Sequence, residues 1–116
     1  MSEKEIDDKL KNGVCAPTIT ILQWTRAKTI IGQFELNTYR KFVNFIIKYD
    51  IDFVCPMCFL YDCCDECLIK KESGKHCLEK NSMYKNITKS KTQKELIESI
   101  NILIEFLKRF EQWKEV

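Results

Sequence analysis

Six of the seven cysteines in this 116-residue chain fall between positions 55 and 77, and four of them form two close pairs, Cys55-Pro-Met-Cys58 and Cys64-Asp-Glu-Cys67. Two thiolates at this spacing can close on one ion through a tight turn whose backbone N–H groups face the sulfurs, and two such turns complete a tetrahedral zinc site. Only five residues separate the pairs. A link that short makes the turns fold back on each other at once and leaves no room for a DNA-reading helix between them. Cys77 competes with a member of the second pair for one position, because a short helix ending at Gly74 would return the chain to the metal. Cys63 is then left over, and His76 reads as an outer hydrogen-bond donor or an exposed residue rather than a ligand.

The chemistry open to such a cluster is narrow. A thioredoxin-like use of Cys55 and Cys58 needs a strand before the pair and a helix after it within an α/β sheet, and the sequence has no βαβ pattern. Free cysteines are often simply buried, but six within 23 residues is far from random scatter. An iron–sulfur cluster also takes four thiolates and tolerates varied spacing, so it stands as the alternative cofactor. A catalytic zinc keeps one position open and works with a nearby general base. Here thiolates are in excess and a deaminase-type His-x-Glu is absent. The metal therefore reads as a structural staple rather than a reaction centre, and the chain as a non-enzyme. Zinc in small fingers contributes roughly 10–16 kcal/mol of apparent folding energy.

The elements that must hold this cluster are mainly helical. Residues 1–14 mix four acids with three lysines and read as a flexible tail or a short surface helix. From Pro17, which suits a helix start, Trp24, Ala27, Ile31 and Phe34 repeat at helical spacing. The alternation Thr-Ile-Thr-Ile-Leu-Gln-Trp over 18–24 also fits a short strand. Asn37 and Thr38 offer capping oxygens for a second helix, with Tyr39, Phe42, Val43, Ile46 and Ile47 on one face and Arg40, Lys41, Asn44 and Lys48 on the other. Tyr49-Asp50-Ile51-Asp52 ends it and delivers the chain into the cysteine segment, residues 55–77. Residues 80–94 hold five lysines and no acid and read as a basic connector. Thr92 and Glu95 then form a capping box that opens a long C-terminal helix over 92–114, with Leu96, Ile100, Leu103, Leu107 and Phe110 as its apolar stripe. The expected architecture is one small helical domain, residues 1–116, with a zinc-stapled knuckle between helices.

Bulk composition agrees with a folded single domain: 45% hydrophobic and 31% charged residues, three Gly and two Pro. The net charge of +2 is too small to imply a nucleic acid or membrane partner by itself. No apolar run approaches the roughly 18 residues of a membrane span. The N-terminus lacks the apolar region of a secretory signal, which points to an intracellular, cytoplasmic setting where clustered cysteines bind metal more often than they form disulfides.

Cys55-Pro-Met-Cys58, Cys64-Asp-Glu-Cys67, the later Cys77, Ser82-Met-Tyr84 and a terminal amphipathic helix together resemble small, mostly uncharacterised cysteine-rich proteins of bacteriophages and prophages. Those show a C-x-L-C start, a C-x-x-C-P centre, a lone later Cys and a Ser-x-Tyr. Here Met57 stands in place of the usual Leu, and Leu68 where Pro is common. The resemblance spans about residues 55–110. It implies a metal-bound helical fold, a mobile-element origin in a host cytoplasm, and a role in binding a host or defence protein, but no reaction.

Two surfaces are candidates for function. On the last helix Ile102, Phe106 and Trp113 form a strip beside the core stripe, which suits a protein partner or a homodimer, with Trp113 as anchor. Alternatively, Lys85, Lys89 and Lys91 could touch phosphates while Tyr84 stacks on a base. The acids Asp62, Asp65 and Glu66 beside the knuckle weigh against this nucleic-acid reading.

Overall fold

The computed structural model describes residues 2–51, 53, 72–74 and 82–110. It is mainly helical, with α1 Glu3–Lys11, α2 Ala16–Gln33, α3 Tyr39–Lys48, α4 Met83–Thr88 and α5 Gln93–Lys108. No strand occurs among the described residues. The paired cysteines, His76, Cys77 and Trp113 lie outside them.

Helix α2 replaces the strand alternative over 18–24, and the burial pattern gives the reason. Ala16, Ile19, Thr20, Gln23, Trp24, Ala27 and Ile31 are buried at steps of three and four, so the helical period, not the local alternation, meets the core. The β-branched threonines are accommodated by back-bonding. Thr20 Oγ1 donates to the Ala16 carbonyl at 2.8 Å, and Thr25 Oγ1 to the Ile21 carbonyl at 2.7 Å. Helix α1 is no tail, because Ile6 is completely buried against Ile19 with Leu10 and Val14 around them.

Helix α5 is the spine. Both α2 and α4 pack against it, α1 packs on α2, and α3 meets α4. Leu96, Ile100, Leu103, Ile104 and Leu107 are buried along α5 and join Trp24, Ala27, Ile31, Phe42 and Ile87 in one core. Polar tethers fix the α2–α5 register: Lys28 Nζ donates to Asn101 Oδ1 at 2.6 Å and Gln93 Nε2 to the Ile31 carbonyl at 2.9 Å.

Three expectations are revised. The basic connector contains a helix, α4, capped by the buried Ser82, whose Oγ accepts from the Lys85 amide at 3.1 Å; Ile87 is its core anchor. The Thr92 hydroxyl accepts from the Glu95 amide at 3.1 Å as a capping box requires, but the Glu95 carboxylate reaches one residue further back, to the Lys91 amide at 3.0 Å. And α5 ends at Lys108 instead of running to 114, with Phe110 N–H tightening back onto the Leu107 carbonyl at 2.9 Å in an i→i−3 bond.

The helix ends share one device. A residue in the left-handed region follows each of α1, α2 and α3 (Gly13 at φ 86°, Glu35 at 54°, Asp50 at 52°). The next amide then reaches back six residues: Val14 to Lys9, Leu36 to Ile31, Ile51 to Ile46, at 2.9 to 3.0 Å. Only the first of these positions carries the glycine that the conformation favours.

Candidate functional site

Helix α3 is the most informative element, because its two sides do different things. Its inner side is aromatic and holds both flanks of the cysteine segment. The Phe53 ring, just before the cysteines, sits edge-on to Trp24 at 5.0 Å and to Phe42 at 5.4 Å. Phe42, 1% exposed, contacts Tyr39 at 6.2 Å. Tyr39 in turn meets Tyr84, just after the segment, edge-to-face at 5.8 Å with a hydroxyl–hydroxyl hydrogen bond of 2.7 Å. Edge-to-face pairs contribute about 0.5–1.5 kcal/mol each beyond area burial. The chain that leaves the core at Phe53 thus re-enters it at Ser82–Tyr84, and the two points are held by three successive ring contacts. Burial, then the Tyr84 hydroxyl, pushes the Tyr39 phenol above its ordinary value. Within the segment, Glu72 and Ser73 are helical and Gly74 follows at φ 79°, the short helix stop expected from the sequence.

The outer side of α3 is exposed, aromatic and cationic. Phe34, at the end of α2, contacts Phe45 at 4.6 Å, and Phe45 contacts Tyr49 at 4.6 Å. Phe34 and Tyr49 are 51% and 57% exposed, Ile47 71% and Ile51 38%. Lys48 Nζ lies 5.4 Å from the Tyr49 ring centroid. Scattered exposed apolar residues need no explanation, but a contiguous run of this kind marks an interaction surface.

The residues singled out on the other surfaces fare differently. Ile102 is 59% exposed, whereas Phe106 is half-buried against the core, with Phe110 at 5.5 Å and the Arg109 guanidinium 5.9 Å from its ring. With Leu103 and Ile104 buried, most of the wide apolar arc of α5 is covered by its neighbours. Lys89 and Lys91 are exposed and Lys85 is half-buried. Tyr84 is half-buried and committed to Tyr39, so its ring already has a partner. The seventh cysteine, Cys15, precedes α2 with its sulfur 3.0 Å from Thr18 Oγ1.

Sequence reasoning did not assemble the Phe34–Phe45–Tyr49 ladder. Its one signal was Phe45, an aromatic among the polar positions of α3 with Tyr49 one turn later. Phe34 joins it only through the α2–α3 turn. Between α1, α2 and the end of α3 lies an open cleft of about 260 Å³, walled by Gln23, Ala27, Ile30, Ile46 and Phe53, with the Arg26–Glu5 ion pair of 3.1 Å beside it. Its volume falls below the roughly 300 Å³ at which small-molecule sites begin. Among the described residues no three His, Cys, Asp or Glu side chains group as a metal-binding set, and no helix is long and apolar enough to cross a membrane.

Comparison with protein-family models, with curated proteins and with solved structures gave no significant match.

Proposed function

We propose that this chain is a non-enzymatic protein-interaction module in which a zinc ion on Cys55, Cys58 and two of Cys64, Cys67 and Cys77 staples the segment between α3 and α4, and the outer side of α3 docks the partner. The observation that carries the docking reading is the exposed Phe34–Phe45–Tyr49 ladder with Ile47 beside it. Aromatic rings bury large areas at low entropic cost and dominate binding hot spots. The zinc reading rests on cysteine spacing, and the aromatic inner side of α3 supports it. A loop whose ends are held together is the geometry in which a metal clip costs least chain entropy. Capture of a host or defence protein, as the phage resemblance implies, is one form this binding would take.

Two measurements test the reading. Metal analysis of purified chain is expected to give one zinc per chain, retained in Cys63→Ser and lost in Cys58→Ser; a brown sample with iron–sulfur absorbance overturns the zinc assignment. Affinity capture from source cells is expected to yield a partner that is lost with Ile47→Asp/Tyr49→Ser. Both substitutions lie at exposed positions, so folding should change by about 0.5 kcal/mol or less each. Capture that persists unchanged in this variant removes α3 from the binding surface.

A further inference from the structure

Resting on the docking role of α3, we infer that its partner is an acidic amphipathic protein segment, an apolar helix edge accompanied by carboxylates about two helical turns apart. The charge on this side of the molecule is one-signed. From residue 36 to residue 49 the chain carries Arg40, Lys41 and Lys48 and no Asp or Glu. All three cations are exposed, and Arg40 and Lys41 take part in none of the ion pairs among the described residues. A cation left unpaired on an apolar surface is available to a partner's carboxylate.

Helix geometry sets the spacing. At 3.6 residues per turn Lys41 and Lys48 lie nearly in line, separated by a rise of about 10 Å. Phe45 and Tyr49 flank that line on one side and Ile47 on the other. A helix laid along α3 would therefore place apolar residues on the ladder and on Ile47, and two carboxylates at an i, i+7 spacing over Lys41 and Lys48. Acids on the partner both match these charges and speed encounter.

The same surface disfavours a nucleic acid strand. Exposed acids close the ladder at both ends, Glu35 directly after Phe34 and Asp50 directly after Tyr49. A continuous row of phosphates following the rings would meet one or the other, whereas a peptide can keep its charges between them. Ile47, the most exposed of the large apolar side chains, offers a base no stacking face.

The test is selection of a displayed random 16-residue peptide library on the zinc-loaded full chain, with Lys41→Glu/Lys48→Glu as the counter-target. The expected result is enrichment of peptides with Leu, Ile, Phe or Trp anchors and Asp or Glu seven positions apart. Their affinity should fall at least tenfold on the double charge reversal and also fall between 50 and 300 mM salt. Helical circular dichroism and the zinc content of that variant should match the parent. Enriched peptides that lack acids but lose binding on Phe45→Ala overturn the acidic partner while leaving the docking face standing. Enriched peptides indifferent to both variants remove the docking face itself. Tighter binding of a dT20 oligonucleotide than of any selected peptide, or self-association in sedimentation that is abolished by Ile47→Asp, overturns the inference in favour of nucleic acid or of a second copy.

Discussion

The hydroxyl pair Tyr39–Tyr84 bridges the re-entry point of the cysteine segment to α3, and its removal gives a graded, checkable response. In Tyr84→Phe the ring contact at 5.8 Å survives, but the Tyr39 hydroxyl loses its 2.7 Å partner. A hydrogen bond of this kind contributes about 1 kcal/mol net, and water reaching a half-buried oxygen brings the expected loss to about 0.5–1 kcal/mol. For a domain of this size that is a fall in Tm of about 2–4 °C. Tyr39→Phe should cost the same. The double variant leaves no orphaned hydroxyl, so it should be no worse than either single one, a coupling of about 0.5–1 kcal/mol in the cycle. Urea unfolding followed by circular dichroism at pH 7 measures all four corners. Alkaline pH gives a second readout. The Tyr39 phenol is raised by burial first and by the Tyr84 hydroxyl second, so the folded chain holds its proton where the unfolded chain has released it. Stability should be flat below about pH 9 and fall from about pH 10 upward, where an unfolded tyrosine ionises. Tyr39→Phe should remove that slope. Additive single and double effects at pH 7, together with an unchanged alkaline slope in Tyr39→Phe, would refute the pairing.

Two further outcomes follow from packing and backbone geometry. Ile100→Ala should cost about 2–5 kcal/mol, because Ile100 is fully buried, while Ile102→Ala two positions away should stay within about 0.5 kcal/mol at 59% exposure; equal losses in chemical denaturation would mean α5 is rotated from the orientation described. At the end of α2, Gly32→Ala meets open space on a helical backbone and should gain about 0.5–1 kcal/mol. Glu35→Gly relieves a left-handed position at φ 54° and should also stabilise, by about 0.5 kcal/mol after the extra freedom of glycine in the unfolded chain is discounted. Thermal melts of both variants check the pair, and a loss in Gly32→Ala would contradict the helix end.

The local chemistry of the helix ends was legible in the residues. Thr38 and Thr92 cap α3 and α5 as their positions suggest, and Pro17 sits in the first turn of α2. These are short-range effects in which the side chain meets its own backbone, so no distant contact is needed to decide them. The buried stripe of α5 was legible for a related reason: Leu96, Ile100, Leu103 and Leu107 repeat over four turns, and a period that long admits only one face. The cysteine spacing likewise speaks for a metal on ligand chemistry alone, and the cysteines in question lie outside the described residues.

What tertiary structure decided is where neighbouring elements cover or expose a residue. Phe34 continues the Trp24–Ala27–Ile31 stripe in sequence yet is half exposed, because α2 ends there and the turn at Glu35 carries it beyond the core to meet Phe45. Ile47 was assigned to the inner face of α3 and lies outside, since α3 is held mainly through Tyr39 and Phe42 and little packs on its far end. Tyr84 looked free among lysines until α4 formed and turned it onto Tyr39, a contact across 45 residues that no local pattern encodes. Periodicity states which residues share a face. Only the placement of the other helices states whether that face is core or surface, because burial is a property of the partner as much as of the residue.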